Sequence, residues 1–107
     1  VKARLADRVP AFSKIRKNEA YIDASKIKGK QLTVRNFEEG DSFIPLGMKG
    51  HKKLHDFFID EKVPVGERYK IPIVRDREKI IWVAGYRLDE RVKVVKNTRK
   101  IIRLDLV

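Results

Sequence analysis

The chain has 107 residues, 42% of them hydrophobic, enough for one modest core with little room for a second domain. It has no cysteine, which excludes a disulfide framework and cysteine-ligated zinc. No apolar run approaches the roughly 20 residues of a membrane span, and no signal-peptide pattern is present, so a cytoplasmic protein is expected.

Twenty-six basic residues against fifteen acidic ones give a net charge of +11 and a pI near 10.1. Such an imbalance draws polyanions. Nucleic acid is the first reading; an anionic membrane would call for a basic amphipathic helix or polybasic tail. A merely soluble basic surface is the bland third. Residues 1–30 carry nine basic and three acidic side chains, 31–85 ten and nine, and 86–107 seven and three. The excess therefore sits at the two ends, and a fold joining them would concentrate a positive face there. The chain starts at Val1 rather than Met, consistent with a piece of something longer.

In chain order, Val1, Ala3 and Leu5 alternate with Lys2 and Arg4, predicting a strand with a basic outer face. Tyr21–Ile22 and Leu32–Thr33–Val34 read as short strands joined by a turn at Lys28–Gly29–Lys30. Helical spacing of Leu54, Phe57 and Phe58 predicts a helix over about His51–Lys62, with Glu61 close to the buried side. Val63–Pro64 stops it, because a residue before proline avoids the α region. Ile71–Val74 and Lys79–Ala84 form a hairpin around Asp76–Arg77–Glu78, with Pro72 making the first an edge strand or a strand start. Val92 and Val94 alternate with Arg91 and Lys93, and Ile102, Leu104 and Leu106 with Arg103 and Asp105. Both read as half-buried strands with outward basic side chains, suited to tracking a phosphate backbone. Edge strands that use Lys and Arg against aggregation would look the same. The expected class is α+β: one domain, a mainly antiparallel β-sandwich-like structure with one main helix.

The helix start is unusual. Lys49, Gly50, His51, Lys52 and Lys53 stack positive charge on the electropositive end, while Asp56, Asp60 and Glu61 come later. That order costs about 0.3–1 kcal/mol per exposed charge. Free N–H groups, glycines and lysines there would suit a phosphate; an exposed face with an i,i+4 pair, Lys52 with Asp56, is the plain alternative. Sharper motifs fail. Gly47–Met48–Lys49–Gly50 matches a KH-type GXXG, but Pro45 opposes the helix that should precede it. A P-loop is not satisfied. His51 and His55 have a metal-compatible spacing but neither an HExxH glutamate nor a cysteine to help them. The helix carboxylates have no nucleophile beside them.

At this segment the chain resembles a known family. Arg35-Asn36, Gly40-Asp41, Phe43, Pro45-Leu46-Gly47-Met48-Lys49-Gly50, Lys52-Lys53-Leu54 and Asp56 through Pro64 resemble the C-terminal domain of the tRNA(Ile)-lysidine synthetases. Arg68, Pro72, Ile80, Trp82-Val83 and Gly85 through Arg91 continue the likeness, which covers about residues 20–107. Ser42 departs from it, since the family commonly has arginine after Gly-Asp.

The resemblance implies a C-terminal tRNA-binding domain of a larger enzyme, with a fold related to a domain of the phenylalanyl-tRNA synthetase β subunit. It implies that the parent ligates lysine to the wobble cytidine of a CAU-anticodon isoleucine tRNA. ATP and Mg2+ would be used in a catalytic domain not contained here, and no cofactor is expected in this chain. The partners it implies are that tRNA, held at its acceptor stem, and the enzyme's other domains. Candidate RNA contacts are Lys49, Lys52 and Lys53, then Arg35, Arg68, Arg87 and Arg91, with Arg87 or Arg91 alternatively held in an ion pair. Abundant Lys and Arg with only 8% aromatic residues fit a stem reader better than a single-strand reader. Two other classes stand beside this one: a basic protein-docking domain, and a hydrolase using the acidic helix.

Overall fold

A computed structural model describes residues 1–107. Its strands are β1 (Lys2–Ala6), β2 (Glu19–Asp23), β3 (Thr33–Arg35), β4 (Ser42–Phe43), β5 (Lys52–Lys53), β6 (Ile73–Arg75), β7 (Ile80–Val83), β8 (Arg87–Leu88) and β9 (Ile101–Asp105). Two short helices, α1 (Leu54–Asp60) and α2 (Val65–Arg68), lie between β5 and β6. Single 3-10 turns occupy Phe12–Lys14, Ala24–Lys26 and Glu90–Val92.

All pairing between strands is antiparallel. One sheet has the order β1-β9-β2, a second β3-β6-β7-β8, and β4 pairs with β5 alone. The β3-β6-β7-β8 sheet is the middle layer. On one side Ile73, Ile80 and Val83 pack with Phe43, Leu54, Phe57 and Phe58. On the other, Val74, Ile81 and Trp82 pack with Ala20, Ile22 and Leu104 of the terminal sheet. Burial on both faces explains why Ile80–Ala84 is an unbroken apolar run. The expected α+β, sandwich-like class is what the chain adopts.

The hairpin across Asp76–Arg77–Glu78 forms as expected, with Ile73 opposite Val83 and Val74 opposite Trp82. Pro72 precedes the first residue of β6, where its missing N–H costs no ladder bond. The register shifts after Val74, since Arg75 faces Ile80, leaving Ile81 as an extra residue on β7. Its carbonyl accepts instead from the Asp89 N–H at 2.8 Å.

Helix α1 is shorter than its sequence pattern suggests. Lys52 and Lys53 are extended and pair with Phe43 and Ser42, so the helix begins at Leu54. Its buried stripe is the expected one, Leu54, Phe57 and Phe58, while Glu61 is exposed. The helix ends before Val63. The Val63 N–H donates to Phe58 O at 2.9 Å and the Lys62 N–H to Ile59 O at 3.0 Å. Lys62 takes the left-handed conformation, φ 58°, that such a Schellman end requires. Val63 and Phe58 sit in the same core cluster, the apolar contact that usually closes this motif.

Three expectations fail, each for a tertiary reason. Tyr21–Ile22 and Leu32–Val34 are not hairpin partners. At Gly29, φ 86°, the chain leaves the terminal sheet and enters the middle one, where β3 pairs with β6. Val92 is buried, but Glu90–Val92 is a 3-10 turn capped by Asp89, and only Lys93 makes a bridge, to Ile22. In β1, Leu5 lies on the core-facing side in register with Ile102, yet it is 66% exposed, because this outer strand overhangs the middle sheet.

Candidate nucleic-acid interface

Twenty-six cations need assigning, and carboxylates claim many of them. Arg35 grips Asp41 with two bonds of 2.9 Å and reaches Glu38 at 3.1 Å. The hydrogen bond to Asp41 raises the Arg35 pKa further above its ordinary value. Arg91 holds Asp89 through Nε and NH2, each at 2.9 Å, and that bond likewise raises its pKa. Asp89 is fully buried and also accepts the Ile44 and Arg91 N–H groups. It thus anchors the β4–β5 region to the chain after β8. Arg68 is 9% exposed and donates to Val63 O at 3.2 Å. Arg87 lies over the Phe57 ring at 5.9 Å, with its NH1 3.5 Å from Leu46 O. Lys52 is paired with Asp60, not with Asp56.

The seven basic residues singled out from sequence therefore divide. Lys49 and Lys53 are exposed and make no ion pair. Lys52, Arg35, Arg68, Arg87 and Arg91 are engaged within the molecule. The helix start lies later than expected. Lys52 and Lys53 belong to β5, the helix has seven residues, and the Leu54 N–H donates to Asp41 O at 2.8 Å. The apparent dipole penalty arose from placing strand residues in the helix.

The unpaired charge lies elsewhere. Antiparallel pairing of β1 and β2 to β9 brings the two basic ends of the chain into one sheet. Arg103, at its centre, is satisfied by Asp105 at 3.0 Å and Glu19 at 2.9 Å and rests over Tyr21 at 5.7 Å. The hydrogen bond to Asp105 raises its pKa. Arg4 is 64% exposed and only 3.9 Å from Asp105. Around this sheet Lys2, Arg8, Lys14, Arg16 and Lys17, with Lys96, Arg99 and Lys100, are exposed and lack ion-pair partners. Within residues 31–85 the corresponding residues are Lys49, Lys53 and Lys62 alone.

A second basic feature joins the two sheets. An open groove of about 710 Å³ is lined by Gly29, Lys30, Gln31, Thr33, Arg75, Asp76 and Arg77, none of them apolar. Asp76 does not neutralise it. That carboxylate is 3% exposed and accepts from the Lys28, Glu78 and Lys79 N–H groups and from Lys79 Nζ. Burial alone would raise its pKa, but these bonds outweigh burial and hold it at about 2. Its charge organises the loop; Lys30 is exposed without an ion-pair partner, and Arg77, also exposed, lies 3.8 Å from Glu78. Asp23 joins the two end segments of the chain, accepting from Ser25 N and Oγ and from Thr98 Oγ. The Ser25 bond is the main cause of its lowered pKa. Sequence reading missed Asp23, placed Asp76 only as a turn residue, and named the ion pair that Arg91 makes with Asp89 only as an alternative to RNA contact. Their only sequence signal was the short-range one, Asp two residues before the N–H it caps.

A third feature is mostly apolar. A groove of about 380 Å³ runs between the N-terminal segment, β2 and β8, with Phe12, Ile15, Tyr21, Leu46, Trp82, Tyr86 and Leu88 among its walls. Arg16, Lys17, Arg87 and Lys93 flank it; Lys93 is paired with Glu90. No helix of the chain is long and apolar enough to cross a membrane.

Comparison with known proteins gives consistent relatives. The family model described as the TilS substrate C-terminal domain matches residues 32–106. A tRNA(Ile)-lysidine synthase from Caldanaerobacter subterraneus is 51% identical over 85 residues, covering 79% of this chain and 18% of that protein. One from Clostridium acetobutylicum is 44% identical over 90 residues, covering 84% of this chain and 19% of that protein. The chain thus spans under a fifth of the length of these relatives. Among solved structures, a TilS C-terminal domain superposes with TM-score 0.78 at 27% identity, over 95% of this chain and 78% of the other. An N-terminal fragment of the phenylalanyl-tRNA synthetase β subunit from Pyrococcus horikoshii superposes with TM-score 0.64 at 22% identity, over 79% and 26%. The latter likeness concerns the fold alone.

Proposed function

The chain belongs to the family of TilS substrate C-terminal domains, and from that premise we propose that it is the RNA-docking module of a tRNA(Ile)-lysidine synthetase. In this reading it holds the acceptor-stem region of a CAU-anticodon isoleucine tRNA. Other domains of the same enzyme join lysine to the wobble cytidine with ATP and Mg2+. The parent is then a cytoplasmic ligase, and this portion contributes binding and no chemistry.

The observation that carries the reading is the joining of both basic chain ends in the β1-β9-β2 sheet, around which Lys17, Lys100 and other exposed cations of the two end segments have no ion-pair partner. A duplex RNA stem is recognised mostly through its shape, phosphates and 2′-hydroxyls, which calls for a broad donor-rich surface. That surface is centred on the terminal sheet and extends towards the Lys30–Arg77 groove, with Lys49 and Lys53 as further contacts. Arg35, Arg68, Arg87, Arg91 and Lys52 act as positioning residues in this account. Leu5, apolar and exposed on the outer strand, and Val1, exposed just before it, favour an additional contact with a neighbouring domain of the enzyme.

Charge reversal tests the reading. Lys17→Glu and Lys100→Glu should each weaken binding of an RNA duplex several-fold. Each should also lower the slope of log K against log salt by about 1. Unchanged affinity and slope in both variants, measured on folded protein, would overturn it.

A further inference from the structure

We propose that the apolar groove beside the terminal sheet receives an unpaired nucleotide adjoining the docked stem, so that the domain reads a stem end and not only a stem. This rests on the RNA-docking reading and adds a single-strand site to it. The groove combines two features that neither a duplex nor an acidic protein loop would use together. Its walls include the aromatic residues Phe12, Tyr21, Trp82 and Tyr86, and its mouth carries Arg16 and Lys17. Phe12 is 84% exposed and Tyr86 38% exposed, whereas Tyr21 and Trp82 are buried to a few per cent and form the floor.

A paired base keeps its faces inside the stack and offers a protein its phosphates and sugar. An unpaired base has free π-faces and still carries a phosphate. The groove supplies a partner for each: exposed rings for the base and unpaired cations for the phosphate. The one carboxylate on its wall, Glu19, is already bound to Arg103 at 2.9 Å, so it does not oppose a phosphate with a free charge. At about 380 Å³ the space is on the scale of a small-ligand site. It opens against β2, within the region that holds most of the unpaired cations, so a stem lying on the sheet would leave its end beside the groove.

The test compares two RNAs on the full chain: a blunt duplex, and the same duplex with a short single-stranded 3′ extension carrying 2-aminopurine. The extension should tighten binding about tenfold, the scale of one stacked base, and 2-aminopurine emission should fall on binding. Phe12→Ser and Tyr86→Ser, singly and together, should abolish both effects while leaving blunt-duplex affinity within about twofold of the parent chain. Phe12 is the safer position, since its exposure makes loss of folding an implausible cause. Equal affinity for the two RNAs, or a gain that survives in the double variant, would overturn the inference. In that case the groove would belong to a protein neighbour while the docking reading stands. If neither RNA binds, both readings are overturned.

Discussion

Replacing Asp76 with asparagine removes one buried charge and turns one acceptor into a donor. In the parent, Oδ1 accepts from the Glu78 and Lys79 N–H groups at 2.8 and 2.9 Å. Oδ2 accepts from the Lys28 N–H at 2.8 Å and Lys79 Nζ at 2.6 Å. Asparagine can keep the first pair, but its amide nitrogen then meets the Lys28 and Lys79 donors with nothing to accept. The charge contribution follows from the pKa, held at about 2 against an ordinary 3.8. At 1.36 kcal/mol per unit this is about 2 kcal/mol of stability. Because the folded-state pKa is the lower one, that stability is fully present above about pH 4 and is lost as pH falls towards 2. The donor-against-donor contact adds about 1–3 kcal/mol at any pH.

Asp76→Asn should therefore cost about 3–5 kcal/mol at pH 7, with the deficit shrinking by about 1.5 kcal/mol by pH 2.5. Urea unfolding followed by the emission of Trp82, the single tryptophan and a buried one, measures this directly. A deficit that stays constant from pH 7 to 2.5 would refute the electrostatic part of the reasoning. A deficit below about 0.5 kcal/mol would refute all of it. The outcome bears on function because Lys28 is tethered to Asp76, and the loop carrying Lys30 lies on the proposed surface.

Two further stability predictions separate cations that hold the fold from those that face outward. Arg91→Ala should destabilise the chain by about 3–5 kcal/mol, since it leaves the fully buried Asp89 without its charge partner. Lys49→Ala and Lys53→Ala should stay within about 0.5 kcal/mol of the parent in the same urea assay. Lys62→Gly should stabilise by up to about 1 kcal/mol, because φ 58° strains a side chain there and suits glycine. A loss of stability in that variant would mean that Lys62 makes a contact outweighing its strain.

Much of the fold was legible because burial leaves a period. Ile102, Leu104 and Leu106 alternate because β9 has one core face, and Leu54, Phe57 and Phe58 repeat because α1 has one buried stripe. Ile80–Ala84 is apolar throughout because both faces of β7 are covered. Periodicity does not name a partner, however. Tyr21–Ile22 and Thr33–Val34 look like parts of one hairpin, yet they lie in different sheets, and Leu5 keeps its alternation on an outer strand that leaves it exposed. Val92 is buried in a 3-10 turn, and one buried residue there looks like half of an alternation.

The distribution of charge was legible in outline, and the pairing of individual cations was not, for a related reason. Net charge and its segregation to the chain ends are sums over sequence, and the terminal sheet preserves them. Whether a given arginine is free depends on which carboxylate the fold sets beside it. Arg35 and Arg91 are taken by Asp41 and Asp89, while Lys17 and Lys100 are left unpaired. Both pairs are close in sequence, six and two residues apart, but the placement of the carboxylate is tertiary, since Asp89 also accepts the distant Ile44 N–H.

The central claim is that this chain docks the stem of a particular tRNA and is more than a general polyanion binder. The most direct test measures its affinity for the CAU-anticodon isoleucine tRNA and for a stem-swapped variant across a salt series. The account predicts tighter binding of the native stem at every salt concentration, with both affinities falling linearly in log salt. Equal affinity for the two at every salt would contradict it.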